Sequence, residues 1–320
     1  MIKIENLSRQ FGNIKAVDNV SFCIRDREIL GFLGPNGAGK TTTLRMLVGF
    51  LQPGSGSISL DDKSIFDDPL AASRQLGYLP EHNPLYDEMS VEESLAYFAA
   101  LRKLDAGFFA KRREFVIQNC GLKDVLHQKI GTLSKGYRQR TGLAQAILHD
   151  PRILILDEPT SGLDPNQILE IRDLIRTLGQ EKMVILSSHI MQEVQALCDR
   201  VVIINKGKII VDDLIDNLPG YLHKGSILSV EIQGENIDFS DFVACHPELE
   251  IQSEILDETR VKIEIPLLPE KDIRQELARH INERGWLTLE MHTRKQSLED
   301  IFHQLTGESN TNPEETETKP

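Results

Sequence analysis

Eight residues, GPNGAGKT from Gly34 to Thr41, carry the strongest chemical signal in the sequence. They fill the template G-x-x-x-x-G-K-[ST] between the strand-like EILGFL and the helical TTLRMLVGF, the context in which a glycine-rich turn cradles phosphate. Gly34, Gly37 and Gly39 let the backbone turn its N–H groups inward, and the positive end of the following helix favours an anion there. Lys40 is expected to reach the β- and γ-phosphates of a nucleotide and the Thr41 hydroxyl to ligate Mg²⁺. Pro35, Asn36, Ala38 and Thr42 complete the nucleotide-binding stretch. A ligand-free turn has no packing use for Lys followed by Thr.

A second pair of chemically capable residues ends the apolar run ILILDE. The preceding apolar residues deliver Asp157 and Glu158 to the carboxyl edge of a sheet, beside the phosphate loop. Asp157 suits holding Mg²⁺ through water, and Glu158, pointing differently, suits polarising an attacking water. Two adjacent like charges bring nothing to a purely structural strand. Upstream lies GTLSKGYRQR, residues 131–140, with Lys135, Arg138 and Arg140 close together before the helical TGLAQAIL. Taken alone, it reads equally well as a capped turn opening a basic amphipathic helix.

With LSKGYRQR preceding ILILDEPTSGLDP, residues 2–218 resemble the ATP-binding subunits of ABC transporters. The resemblance implies a P-loop NTPase of ABC type that hydrolyses ATP with Mg²⁺. It also implies a signature loop whose Ser134 and Gly136 N–H meet the γ-phosphate held by the P-loop of a second copy. Phe11 then corresponds to the aromatic that stacks on adenine, Asp164 to the loop that crosses the dimer interface, and His189 to the switch histidine at the γ-phosphate. Asp164 before Pro165 is also a good helix N-cap. Glu81 stands where the family has a glutamine that senses Mg²⁺, and a carboxylate there can itself ligate the metal. Lys135 and Tyr137 replace the second glycine and the glutamine of the signature.

The phrases GYLPEHNPLYDEMSV, GLDPNQILEIRDLIRTLG and SSHIMQEVQALCDRVVIINKGKI are similar to ABC-2-type subunits, and among them to those associated with gliding motility. The implied mechanism is closure of a homodimer, or of a pair with a related ATPase subunit, around ATP. That motion would be passed to separate integral-membrane permease subunits through the groove beside Glu81 to Tyr86. Two other readings compete: a soluble ABC ATPase acting on ribosomes or DNA, and a nucleotide-binding regulator with little turnover. A single cassette and the short stretch from Lys40 to Ser134 leave no room for a long coiled-coil arm, and Glu158 argues for hydrolysis.

The elements that must position these residues follow from patterning. The runs ILGFL, ILILD and MVILS are continuously apolar, as strands buried on both faces of a parallel α/β sheet are. The start, MIKIENLSRQ, alternates like an exposed strand. Residues 86–149 read as a helical insertion, opened by a capping box of Ser90 and Glu93. Alternation at Leu228, Val230 and Ile232, at Val261, Ile263 and Ile265, and at Leu287, Leu289 and Met291 predicts half-buried antiparallel strands. With helical stretches between them, residues 219–306 form a small α+β domain of ferredoxin-like order.

Composition bounds the rest. At 320 residues, 40% hydrophobic and 27% charged, the chain is of ordinary globular type with room for two cores. Its longest apolar runs fall far short of the ~20 residues that cross a bilayer. With no secretory signal at the start, the expected location is cytoplasmic, peripheral on the inner face of the membrane through the permease. A net charge of −13 argues against a nucleic-acid partner. The four cysteines lie far apart, outside metal-site spacing. Residues 307–320 lack large apolar side chains and are expected to be a disordered acidic tail.

Overall fold

The computed structural model describes residues 1–220, 226–246, 249, 251–257, 259–267, 272–295 and 298–306. The expected tail, 307–320, lies outside them. The chain divides into two compact units, Met1–Ile215 and Asp216–Pro320. Among the described residues no helix is long and apolar enough to cross a membrane.

The first unit runs β1 (Ile2–Phe11), β2 (Ile14–Ile24), β3 (Ile29–Leu33), α1 (Lys40–Leu47), β4 (Ser55–Leu60), β5 (Lys63–Ser64), α2 (Pro69–Gln75) and β6 (Leu76–Leu79). It continues through α3 (Val91–Leu101), α4 (Ala106–Asn119), α5 (Lys135–Ile147), β7 (Ile153–Asp157), α6 (Pro165–Gly179), β8 (Met183–Ser188), α7 (Met191–Leu197), β9 (Arg200–Asn205) and β10 (Lys208–Leu214). One sheet has the order β10-β9-β3-β8-β7-β6. All its pairings are parallel except that of β10 with β9. β7 and β8 are buried at every position, as their unbroken apolar runs require of strands covered on both faces. The register sets Asp157 opposite Ser187 and Leu33 opposite Ser188. The P-loop, the acidic pair and His189 therefore leave the sheet at one edge.

A second sheet, antiparallel with order β2-β1-β4-β5, was not expected from the sequence. It corrects the reading of the first strand as exposed: Ile2, Ile4 and Leu7 are 3%, 2% and 0% exposed. They join Phe22, Phe32, Leu44 and Leu47 in one core. Alternation in β1 reports one covered face, and the cover is the helix that follows the P-loop together with β3.

Between β6 and β7 the chain is helical. Ser90 and Glu93 form both halves of the capping box on α3, satisfying N–H groups that have no partner within the helix. α5 is held tightly from three sides. A Cβ on Gly77 would lie 2.3 Å from the Ala146 carbonyl, so β6 and α5 meet at backbone contact. Asn83 Nδ2 donates to the Arg138 carbonyl at 3.2 Å, over the notch left by Gly142. Gln139 Nε2 donates to the Pro159 carbonyl at 3.1 Å, tying α5 to the turn after Glu158.

The second unit contains β11 (Ser226–Gln233), α8 (Ser240–Cys245), β12 (Gln252–Ile255), β13 (Arg260–Pro266), α9 (Arg274–Glu283), β14 (Leu287–Lys295) and α10 (Leu298–Thr306). Its antiparallel sheet has the order β12-β13-β11-β14. Leu228, Val230, Ile232, Ile263 and Ile265 pack on Leu277, Ile281 and Trp286. Leu287 and Leu289 depart from the expected half-burial, at 64% and 45% exposed. β14 is an edge strand, and an irregularity between Glu231 and Ile232 shifts its register, so only Met291 of that alternating set reaches the core.

At the α5–β6 joint, His149 Nε2 sits 3.0 Å from the Leu76 carbonyl. Burial, aided by the nearby Arg102, pushes its imidazole down to about 4, against about 6.5 in an unfolded chain. Unfolding frees His149 to take up a proton, so its contribution to stability is full above about pH 6.5 and fades as pH falls towards 4. Urea unfolding should show wild type losing about 1 to 2 kcal/mol more than His149→Gln between about pH 7.5 and pH 5, allowing for partial exposure. Identical pH dependence in the two proteins contradicts this.

Candidate active site

A cavity of about 260 Å³ opens at the carboxyl edge of the parallel sheet, lined by Ala16, Pro35, Asn36, Gly37, Gly39, Lys40, Thr41, Thr42, Glu81, Glu158, Ser161 and His189. The P-loop can take its shape because side chains are missing where the backbone crowds. A Cβ on Gly34 would lie 2.3 Å from the Ile204 carbonyl, and one on Gly39, at φ 110°, would lie 2.4 Å from the Ala16 carbonyl. Gly207 N donates to the Ala38 carbonyl at 2.9 Å and closes the loop's underside. Lys40 Nζ donates to the carbonyls of Gly34 at 2.6 Å and Pro35 at 3.2 Å. It lies 3.6 Å from Glu158 Oε1. Burial lowers the Lys40 pKa, and the carboxylates of Glu158 and Asp157 oppose that fall.

Asp157 is fully buried. Its Oδ1 accepts from Ser187 Oγ at 2.6 Å, while Oδ2 has no hydrogen-bond partner. Burial raises its pKa against the hydroxyls of Ser187 and Thr41. An unpaired buried carboxylate oxygen beside a threonine hydroxyl is a hard-oxygen donor set that suits Mg²⁺. The described residues contain no cluster of three or more His, Cys, Asp or Glu able to hold a metal alone. A cation at Thr41 and Asp157 would thus need phosphate oxygens to complete its shell. Glu81 lines the same cavity and adds to the negative field at Lys40 and Asp157.

Glu158 turns away from Asp157 because its backbone is left-handed, at φ 50°, a conformation that costs a non-glycine residue of order 1 to 3 kcal/mol. Its N–H donates to Ser187 Oγ at 3.1 Å and to the Ser187 carbonyl at 3.2 Å. Its Oε2 lies 3.0 Å from His189 Nδ1, and the hydrogen bond raises the imidazole's pKa. The carboxylate can only accept, so the ring proton sits on Nδ1.

Gly34, Ala38 and Asp157 belong to the P-loop and the acidic pair without lining the cavity themselves, whereas Phe11, Ser134, Gly136 and Asp164 are part neither of its lining nor of those two segments. Phe11 is 47% exposed at the end of β1, with the Arg9 guanidinium carbon 5.1 Å from its ring centroid. Ser134 caps α5, its hydroxyl accepting from Tyr137 N at 3.4 Å. Asp164 caps α6 in a capping box with Gln167. The Gln167 side chain lies over Gly136, where a Cβ would be 2.3 Å from Oε1. Lys135 crosses Gly162 in the same way. The start of α5 and the turn ending in Asp164 therefore pack on each other, and Ser134, Gly136 and Asp164 stay out of the P-loop cavity.

Sequence reading missed the groups that hold the acidic pair. Ser187, Ser188, Thr160 and Glu193 are all buried, and Gln139 anchors the turn from α5. The available signal was the serine pair before His189: two hydroxyls at the end of a buried apolar strand need partners.

Residues 17–161 match the family model described as ABC transporter. Over 324 residues the chain is 36% identical to the ABC transporter ATP-binding protein YhcH of Bacillus subtilis (strain 168), covering 97% of each chain. It is 32% identical over 313 residues to the linearmycin resistance ATP-binding protein LnrL of the same strain, covering 96% of this chain and 98% of that one. The dimeric structure of the ATP-binding cassette MJ0796 in a post-hydrolysis state, bound to ADP and Pi, has a TM-score of 0.61 at 22% identity, covering 67% of this chain and 99% of that chain. That last likeness shows the fold alone. Identity along nearly the whole length of a relative, on a P-loop cassette fold, makes the chain a member of the ABC transporter ATP-binding family, an ABC ATPase.

Proposed function

We propose that the chain is the motor subunit of an ABC-2-type transporter. Two copies close around two ATP molecules, each P-loop facing the other copy's signature loop, and closure drives separate membrane-embedded permease subunits. The observation that carries this reading is the separation within one chain: Lys40, Thr41, Glu158 and His189 line the cavity, and Ser134, Gly136 and Asp164 do not. A phosphate chain seated on the P-loop leaves its outer side to be covered by groups from elsewhere. An exposed hydroxyl at the N-terminal end of α5, with a side-chain-free Gly136 beside it, has the chemistry for that role. The cassette MJ0796, which shares the fold, is dimeric, and that supports pairing of two copies.

In this reading Lys40 exchanges the Gly34 and Pro35 carbonyls for β- and γ-phosphate oxygens. Thr41 and Asp157 would hold Mg²⁺, which would supply positive charge to offset that of the phosphates. Glu158 orients a water for in-line attack on the γ-phosphorus and accepts its proton as the bond to the β-phosphate oxygen breaks. His189 fixes the Glu158 carboxylate by its Nδ1 proton and faces the γ-phosphate with the opposite ring edge. Glu81, joined through Asn83 to α5, carries the presence of the nucleotide to the helical insertion and the permease groove. The wording shared with gliding-motility-associated subunits supports a homologous machine.

Glu158→Gln should lower ATP turnover by about 10²- to 10³-fold while leaving ATP affinity within about threefold. ATP-loaded pairs of that variant should accumulate on size-exclusion chromatography. Wild-type turnover in the variant rejects Glu158 as the base.

A further inference from the structure

We infer that Glu193 is a positioning residue of the hydrolytic site, clamping the segment that carries Glu158 to the segment that carries His189. Glu193 lies in the first turn of α7 and is 4% exposed. Thr160 Oγ1 donates to its Oε1, and Ser188 Oγ donates to its Oε2 at 2.7 Å. Ser188 Oγ in turn accepts from Ile190 N at 3.0 Å. Among the described residues Glu193 has no ion-pair partner. A buried carboxylate without a cation is costly to retain for packing alone.

What the carboxylate supplies is direction. It can only accept, so both hydroxyls must point their protons at it, which leaves the Ser188 oxygen free to receive the Ile190 N–H. The chain of bonds runs from the backbone just past His189, through Ser188 and Glu193, to the residue two beyond Glu158. Ser187 does the same work directly, binding Asp157 Oδ1 and Glu158 N. Adjacent serines on β8 thus hold the acidic segment at two points, one of them through Glu193. The left-handed turn at Glu158 and its 3.0 Å approach to His189 lie between those points.

This inference rests on the reading of Glu158 as the base. Thr160→Val removes the hydroxyl at constant volume, and Thr160→Ser keeps it. With the full chain and Mg·ATP, Thr160→Val should lower kcat about 10- to 100-fold, the scale of a misplaced catalytic group, with KM for ATP within about twofold. Thr160→Ser should bring kcat back to within about threefold of wild type. Glu193→Gln retains an acceptor for only one hydroxyl and should fall between the two. Wild-type kcat in Thr160→Val, with Glu158→Gln inactive, overturns the inference alone; wild-type kcat in both overturns the reading beneath it. Equal losses of kcat and melting temperature in Thr160→Val and Thr160→Ser would assign the residue to packing and also overturn it. Should Thr160→Val fail to fold, Glu193→Gln decides by the same split of kcat from KM, and unchanged kcat there refutes the clamp.

Discussion

Two adjacent carboxylates at the buried end of one strand are the constraint around which the cassette is arranged. A buried carboxylate without a partner costs several kcal/mol, and Asp157 and Glu158 sit side by side. The fold meets this in three ways. The left-handed backbone at Glu158 sends the two side chains apart. On the neighbouring strand the Ser187 hydroxyl donates to Asp157 Oδ1 and accepts from the Glu158 N–H. Lys40 supplies the nearest cation, shared with the carbonyls of its own loop. One oxygen of Asp157 is left without a partner, in the position where a metal–nucleotide complex would complete the charge balance.

The parallel sheet makes this arrangement possible because β3, β7 and β8 end together, so one edge collects the P-loop, the acidic pair and His189. The insertion is joined to that edge by specific contacts. Gln139 reaches the turn after Glu158, and Asn83 joins the Glu81 loop to α5. The cavity edge therefore has short, hydrogen-bonded routes to α5.

Much of this was legible because it is local. The P-loop, the Ser90–Glu93 capping box and the Asp164 cap depend on residues within a few positions of one another, so their chemistry appears in the string itself. The continuous apolar runs of β7 and β8 announced strands covered on both faces. What the string hid depends on partners far along it. The antiparallel sheet forms because Ile2 pairs with Ile24 and with Leu60, and alternation alone does not say what covers a strand. Leu287 and Leu289 were misjudged for the same reason, since an irregular register on an edge strand decides their exposure. The clamp on the acidic segment was invisible because Ser187 and Asp157 are 30 residues apart and Thr160 and Glu193 are 33.

The central claim is that each chain completes the triphosphate site of its partner. The direct measurement mixes two variants, each inactive alone. Lys40→Ala loses phosphate binding in its own cavity. Ser134→Asp keeps a good N-cap on α5 but turns a negative charge towards the facing γ-phosphate. A mixed pair has one intact cavity opposite one intact signature loop, so ATP hydrolysis should return when the two inactive proteins are combined. A mixture as silent as its components, or wild-type turnover by Ser134→Asp alone, contradicts the account.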